Sequence, residues 1–272
     1  MPGISRRAFL EGAVAVGVGA AAGGGTYGFL YGRHDLHLTN ASLPVAHLPD
    51  ALRGLRVGFL TDVHRSRWVS AEDVGAAVDL LMATKPDLIV LGGDYVTWGD
   101  RQFVAPAAEA LSRLSAPHGV FAILGNHDDD HSMPLALTAK GIEVLKDTRT
   151  RLEIRNETLE LAGIRFWTRK TQDIAAVVHG ATAPLILLAH DPRRLAEAEA
   201  LNISAVLSGH THGGQVVLPL LGAVAAQKFP VAAGFARRGR TTMFVSRGLG
   251  TVYVPVRVNC PPEVVLFTLV PA

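Results

Sequence analysis

Three observations on this 272-residue chain predict an α/β fold built on a largely parallel sheet. Short apolar runs (RVGFL, DLIVL, GVFAIL, PLILLA and SAVL) recur, several of them separated by helix-like stretches. Such alternation marks βαβ units. A knot of Asp, Asn or His follows directly on each run, as happens where strands end along one edge of a sheet. The composition, 49% hydrophobic and 18% charged, is that of a globular protein with a sizeable core, and the length suits one large domain.

Residues 1–32 read as a targeting segment to be kept apart from the fold, leaving 33–272 as a single domain. Ser5-Arg6-Arg7-Ala8-Phe9-Leu10 sets a twin arginine ahead of an uncharged stretch from Gly12 to Gly32. This resembles a twin-arginine translocation signal, with the twin-arginine translocase as the partner it implies. The stretch exceeds the roughly 18 residues needed to cross a bilayer, while Ala20-Ala21-Ala22 offers a small-residue cleavage site. A cleaved signal and a retained membrane anchor both stay open. Either places the remainder across the cytoplasmic membrane: in the periplasm, in the cell wall or on the outer face of the membrane. Gly17-Val18-Gly19-Ala20-Ala21-Ala22, with Asp35 beyond it, matches a loose dinucleotide fingerprint. No strand precedes it, and it is set aside as a nucleotide loop.

Along the domain, His34 to His47 reads as an edge strand plus a loop, and Leu55 to Thr61 as the first core strand. Ser70, with Asp73 three residues on, forms an Asp variant of the capping box and starts a helix to about Ala83. Asp87 to Leu91 is the second core strand; a helix from Phe103 to Leu114 leads to the third, Gly119 to Leu124. Ile142 to Phe166 has little room for helices and suits antiparallel strands. A helix over Asp173 to His179, a strand over Leu185 to Ala189 and a helix over Pro192 to Ala200 restore the rhythm. Ala205 to Leu207 is followed by closing strands at Val216 to Leu218, Met243 to Ser246 and Val264 to Leu269.

The polar knots carry the chemistry. Asp62 and His64 stand in TDVH, Asp94 in LGGDY, Asn126, His127 and Asp128 in LGNHDD, His190 in LLAHDP, and His210 and His212 in SGHTHGGQ. Carboxylate and amide oxygens mixed with imidazoles suit divalent Mn, Fe or Zn. Residues two apart on a strand share a face. Asp62 and His64 are therefore expected to reach one metal if the strand persists that far; His210 and His212 share the spacing. Asp94, behind Gly92 and Gly93, is the candidate to bridge two metals, the glycines allowing close backbone approach. Asp-x-His alone is commonplace, and Gly-Asn-His-Asp alone is a turn-forming string. Their conjunction with five of the eleven histidines makes the case for a metal-dependent hydrolase. Two metals about 3.5–4 Å apart bind a phosphate and activate a water for in-line attack on phosphorus, and His127 is placed to stabilise the developing charge or protonate the leaving group.

The ordered set Asp62-x-His64, Gly93-Asp94, Gly125-Asn126-His127-Asp128, His190 and Gly209-His210-Thr211-His212 resembles the calcineurin-like metallophosphoesterases from about Leu55 onward. The resemblance implies a four-layer α/β/β/α sandwich of two mixed sheets, with a di-metal site at the strand ends. It implies Asp62, His64, Asp94 and His212 on one metal and Asp94, Asn126, His190 and His210 on the other, with His127 assisting catalysis. SGHTHGGQVVLP, SRGLGT and VRVNCPPEV resemble a bacterial branch of exported or membrane-associated phosphoesterases. The expected substrate is a phosphate ester: a phosphodiester, pyrophosphate or phosphomonoester, on envelope or lipid-linked molecules.

Gln215 to Thr241 is unusually apolar for a loop; it either completes the core or forms an exposed lip beside Arg237, Arg238 and Arg240. A net charge of +2 and 6% aromatics give no sign of a nucleic-acid groove. A soluble-substrate phosphatase or nuclease is the alternative enzyme. An inactive scaffold would have lost ligands, and none is missing. The single cysteine, Cys260, excludes an internal disulfide.

Overall fold

A computed structural model describes Gly19 and residues 22–272. The twin arginine, most of the fingerprint-like glycine run and most of the small-residue triplet lie outside the described residues. Among the described residues, no helix is long and apolar enough to cross a membrane.

In chain order the strands are β1 (His37–Val45), β2 (Arg56–Leu60), β3 (Leu88–Leu91), β4 (Val120–Ala122), β5 (Glu143–Val144), β6 (Thr148–Ile154), β7 (Glu157–Ile164), β8 (Leu185–Ala189), β9 (Ala205–Ser208), β10 (Gly234–Arg238), β11 (Thr241–Val245) and β12 (Glu263–Pro271). The helices used below are α1 (Ala71–Ala83), α2 (Val104–Leu111), α3 (Ser132–Thr138), α4 (Thr171–Val178) and α5 (Leu195–Ala200).

Two six-stranded mixed sheets form, ordered β1-β12-β2-β3-β4-β5 and β10-β11-β9-β8-β7-β6. In the first, β2 to β5 run parallel, and β12 is antiparallel to β2 and parallel to β1. In the second, β7, β8, β9 and β11 run parallel between antiparallel edges.

The period of two explains the layers. On β3, Leu88 and Val90 face the space between the sheets, while Ile89 and Leu91 face α1 and α2. On β8, Ile186 and Leu188 join the inter-sheet core and Leu187 and Ala189 the core under α4 and α5. Three separate apolar cores thus hold four layers together, the expected α/β/β/α sandwich. Because both faces of the central strands are buried, those strands read as unbroken apolar runs rather than alternating ones.

The capping box forms as expected: Asp73 N–H donates to Ser70 Oγ, and Ser70 N–H to Asp73 Oδ2. Two expectations are corrected. Val216 to Leu218 makes no strand, only isolated bridges from Val216 to Val258 and from Leu218 to Gly222. The edge strand of the second sheet is instead β10, inside the stretch read as a loop. The apolar 215–241 stretch divides: Leu218, Leu220, Leu221 and Val224 are exposed, forming the lip, while Ala226 is buried and Val231 and Ala236 pack against the core under α4 and α5.

Candidate metal centre

The strand ends of both sheets meet at one edge. β2 delivers Asp62 and His64, β3 Asp94, and β4 Asn126 and His127, while β8 and β9 of the other sheet deliver His190 and then His210 and His212. All eight residues selected from the sequence converge. Potential ligand atoms of Asp62, His64 and His212 lie within 4.8 Å of one another, and so do those of Asp94, His190 and His210. His64, Asp94 and His127 form a third such group. Asp94 belongs to two of the groups, between the sheets.

The route to this convergence differs from the one expected. β2 ends at Leu60, so the strand does not persist to Asp62 and His64, and pleating does not align them. Instead Asp62, His64, Asp94, His210 and His212 all adopt left-handed backbone, with φ of 53°, 46°, 57°, 73° and 52°. Non-glycine residues seldom do so, and such strain collects at functional sites. Loop-to-loop bonds hold it in place: Asp62 N–H donates to Gly93 O (2.9 Å) and His64 N–H to Asp94 O (3.0 Å). Across the sheets, His210 N–H donates to the Asp62 carboxylate at 3.0 Å.

Missing side chains make room for these loops. A Cβ on Gly125 would fall on Asp94 Oδ1, and one on Gly209 on Asp62 Oδ2. The expected role of Gly92 and Gly93 is more local: Gly92 leaves space for Thr61 and Phe59, and Gly93 for the backbone of Gly125.

The donor set fits a cation. Asn126 Oδ1 is buried without a hydrogen-bond partner among the described residues, as is His212 Nδ1. His64 Nε2 and His212 Nε2 face each other at 3.1 Å, with Asp62 Oδ1 3.3 Å from the latter. His190 Nδ1 donates to Gly92 O (2.7 Å), which turns its Nε2 toward Asp94 Oδ2 at 3.1 Å. A backbone carbonyl fixing the remote nitrogen is the usual support for a metal-binding imidazole. Phe166 and Phe229 flank the His210 ring, each with its centroid 5.2 Å away.

Electrostatics agree. Burial lowers His210 to about 3 and His212 well below its usual value, leaving both as neutral imidazoles able to ligate. Burial would lower His190 too, but the carboxylates of Asp94 and Asp62 raise it to about 10. Two buried carboxylates here demand positive charge.

His127 is held differently. Its Nδ1 accepts the backbone N–H of Trp98 at 2.9 Å, and the Trp98 ring packs edge-on at 4.5 Å. Burial lowers its pKa to about 4. The neutral ring with Nδ1 accepting must carry its proton on Nε2.

Several supporting residues lay beyond sequence reasoning. The Asp128 carboxylate accepts the N–H groups of Asp94 (2.7 Å), Tyr95 (2.8 Å) and Gly125 (2.9 Å), tying the β3 and β4 loops together. Its place in GNHDD was the available signal. Thr97 Oγ1 lies 3.0 Å from His64 Nδ1. Arg257 is fully buried with no carboxylate partner among the described residues; its guanidinium donates to carbonyls of Gly250 (2.6 Å), Arg247 (2.8 Å) and Cys260 (3.1 Å). Its place in VRVNCPPEV was the available signal.

Comparison with known proteins agrees with this geometry. The family described as calcineurin-like phosphoesterase matches residues 55–214. The chain is 31% identical to the uncharacterized metallophosphoesterase YkuE of Bacillus subtilis (strain 168), over 99% of each chain. It is 32% identical to the phosphodiesterase YaeI of Escherichia coli (strain K12), over 98% of this chain and 100% of that one. A transmembrane protein with metallophosphoesterase domain from Danio rerio is 30% identical over 88% of this chain and 58% of its own. With two sheets meeting at a cluster of Asp, Asn and His that a cation fits, and relatives matching from end to end, the chain belongs to the calcineurin-like phosphoesterases and is a metal-dependent phosphoric ester hydrolase.

Proposed function

We propose that the site holds two divalent metal ions, drawn from Mn, Fe or Zn, and hydrolyses phosphodiester, pyrophosphate or phosphomonoester bonds of cell-envelope or lipid-linked molecules. The observation that carries the two-metal reading is Asp94, whose carboxylate belongs to a cluster on either side of it. Asp62, His64, Asp94 and His212 would hold one ion, and Asp94, Asn126, His190 and His210 the other. Bound divalent ions neutralise phosphate charge and acidify water.

The chain's own residues do the rest. Asp94 Oδ1 accepts the His127 N–H at 2.8 Å, locking the loop that presents the imidazole. With Nδ1 engaged by Trp98, His127 offers Nε2–H to a phosphoryl or leaving-group oxygen as a hydrogen-bond donor. A cavity of about 520 Å³ opens over Asp94, Asn126, His127, His210 and His212. Its outer wall is apolar (Leu218, Val224, Phe229, Val252, Val254), with Lys228 the cation beside it. An apolar wall over a phosphate-handling floor suits an acylated or prenylated ester; the relative named as a phosphodiesterase favours diester chemistry. Residues 1–32 would act as twin-arginine signal or anchor, with 33–272 exported as the catalytic domain.

Hydrolysis of bis-p-nitrophenyl phosphate and p-nitrophenyl phosphate, after reconstitution separately with Mn, Zn, Fe and Mg, tests this reading. Metal-dependent turnover is expected, with both ions lost from Asp94→Ala. Retention of two ions at normal affinity in that variant would remove the bridge.

A further inference from the structure

Residues 28–33, just upstream of the first strand, are fastened to the domain beside the mouth of the site. Gly28–Gly32 forms a single π-helical turn. Its glycines lie against residues 256–258: a Cβ on Gly28 would stand 2.7 Å from Arg257 O, and one on Gly32 would overlap the same oxygen. Arg33 then donates to Trp68 O at 2.6 Å, and the Phe29 and Trp68 rings meet edge to face at 6.0 Å. The sequence arriving at this point is uncharged from residue 12 to residue 32.

Exposed apolar surface runs from there to the site. Trp68, Trp98, Tyr253 and Val254 line one groove of about 730 Å³. Tyr253 and Val254 also line the cavity over the metal ligands, opposite the lip of Leu218 and Val224. Trp98 is 66% and Tyr253 79% exposed, both adopt left-handed backbone (φ 54° and 64°), and their rings meet edge to face at 5.5 Å. At the tip of the lip, Leu220 is fully exposed. A monomer in water rarely keeps so continuous an apolar patch. Trp and Tyr, apolar rings with a polar tip, are the side chains that settle at the membrane–water interface. Arg67, stacked 4.8 Å over Trp68, and Arg33 add positive charge suited to anionic headgroups.

We propose that this aromatic face is a docking surface for a lipid bilayer, which seats the mouth of the metal site at headgroup depth on the membrane that the N-terminal segment contacts. It rests on the envelope reading above and makes the bilayer surface the place where substrate is taken up. A phosphate in the headgroup layer then reaches Asp94 and His127 without its apolar part crossing water.

Single-tryptophan variants of the full chain test this on vesicles of phosphatidylethanolamine and phosphatidylglycerol carrying bromines near the headgroup end of the acyl chains. One variant keeps Trp98 (Trp68→Phe, Trp167→Phe) and another keeps Trp68. A control lacks all three and carries Glu153→Trp beside the β6–β7 turn. That turn lies at the opposite end of the sheets, where Arg155 donates to the carbonyls of Ala51 and Arg53 ahead of β2. The expected result is a blue shift and loss of emission at Trp68 and Trp98, with the control unquenched. Vesicle-bound protein whose Trp68 and Trp98 stay unquenched overturns the docking surface, as does a stable dimer that shields them before lipid is added. Hydrolysis of a lipid phosphodiester in detergent micelles separates the two ideas. Activity there without quenching keeps the substrate class and sinks the docking; quenching without such activity does the reverse.

Discussion

The backbone N–H of Trp98 donates to His127 Nδ1 over 2.9 Å, so a residue of the β3 loop sets which nitrogen of a β4-loop imidazole faces the substrate. His127→Ala is expected to lower turnover by roughly two to four orders of magnitude, the range for losing a positioned proton donor. Metal content, measured by mass spectrometry of the purified protein, should stay near wild type. A variant that instead loses metal would make His127 a ligand.

Two glycines should respond differently to alanine. At Gly54, φ is +76° with open space around it, so the change should cost about 1–2 kcal/mol of stability in urea titration, the left-handed penalty alone. At Gly209 the new methyl would land on Asp62 Oδ2 and crowd Thr61. There, displaced Asp62 should cost metal affinity and activity first. Equal metal affinity in the two variants would contradict this account of the site.

Arg257 gathers loops behind the Asp62 side of the site, chiefly through carbonyls. Arg257→Met leaves the buried carbonyls of Gly250, Arg247 and Cys260 short of a donor. The expected loss is about 3–5 kcal/mol, several unsatisfied groups together. Lysine, with one compact ammonium in place of a planar fork, should restore little of it. Denaturant midpoints of the two variants decide the matter.

Asp147 supplies a pH dependence away from the metal ligands. Burial pushes its pKa up, but the N–H and guanidinium of Arg165 and the Thr168 hydroxyl (2.9, 2.6 and 2.7 Å) bring it below the usual 3.8. A depressed folded value means stability fully present above the unfolded pKa and lost as pH falls through the folded one. The stability gap between wild type and Asp147→Asn should therefore be constant near neutrality and shrink as pH drops below about 4. Urea melts across that range would show it.

The sandwich and the ligand positions were legible because they rest on short-range signals: apolar runs, a capping box, and polar residues where runs stop. Other features depend on partners far away in sequence. The left-handed turns at Asp62 and His64 arise from bonds to Gly93 and Asp94, and TDVH alone read as continuing strand. Helix α3 was not anticipated, being seven residues long with Pro134 inside it. β10 was hidden because Phe235 is exposed, Arg237 and Arg238 end the strand, and only the small Ala236 packs toward the core, too little to impose a pattern. Arg257 was legible as part of VRVNCPPEV but its role was not, since only the folded loops supply its acceptors.

The insertion of β12 between β1 and β2 has a temporal consequence. β12 is made after the other eleven strands yet fills the gap between the first two, so the first sheet stays split until β12 has emerged. Residues 247–260, which Arg257 cross-links behind Asp62 and His212, emerge only just before it. The pocket is thus incomplete until the chain beyond β11 has been made, and its assembly precedes any step that requires a folded domain.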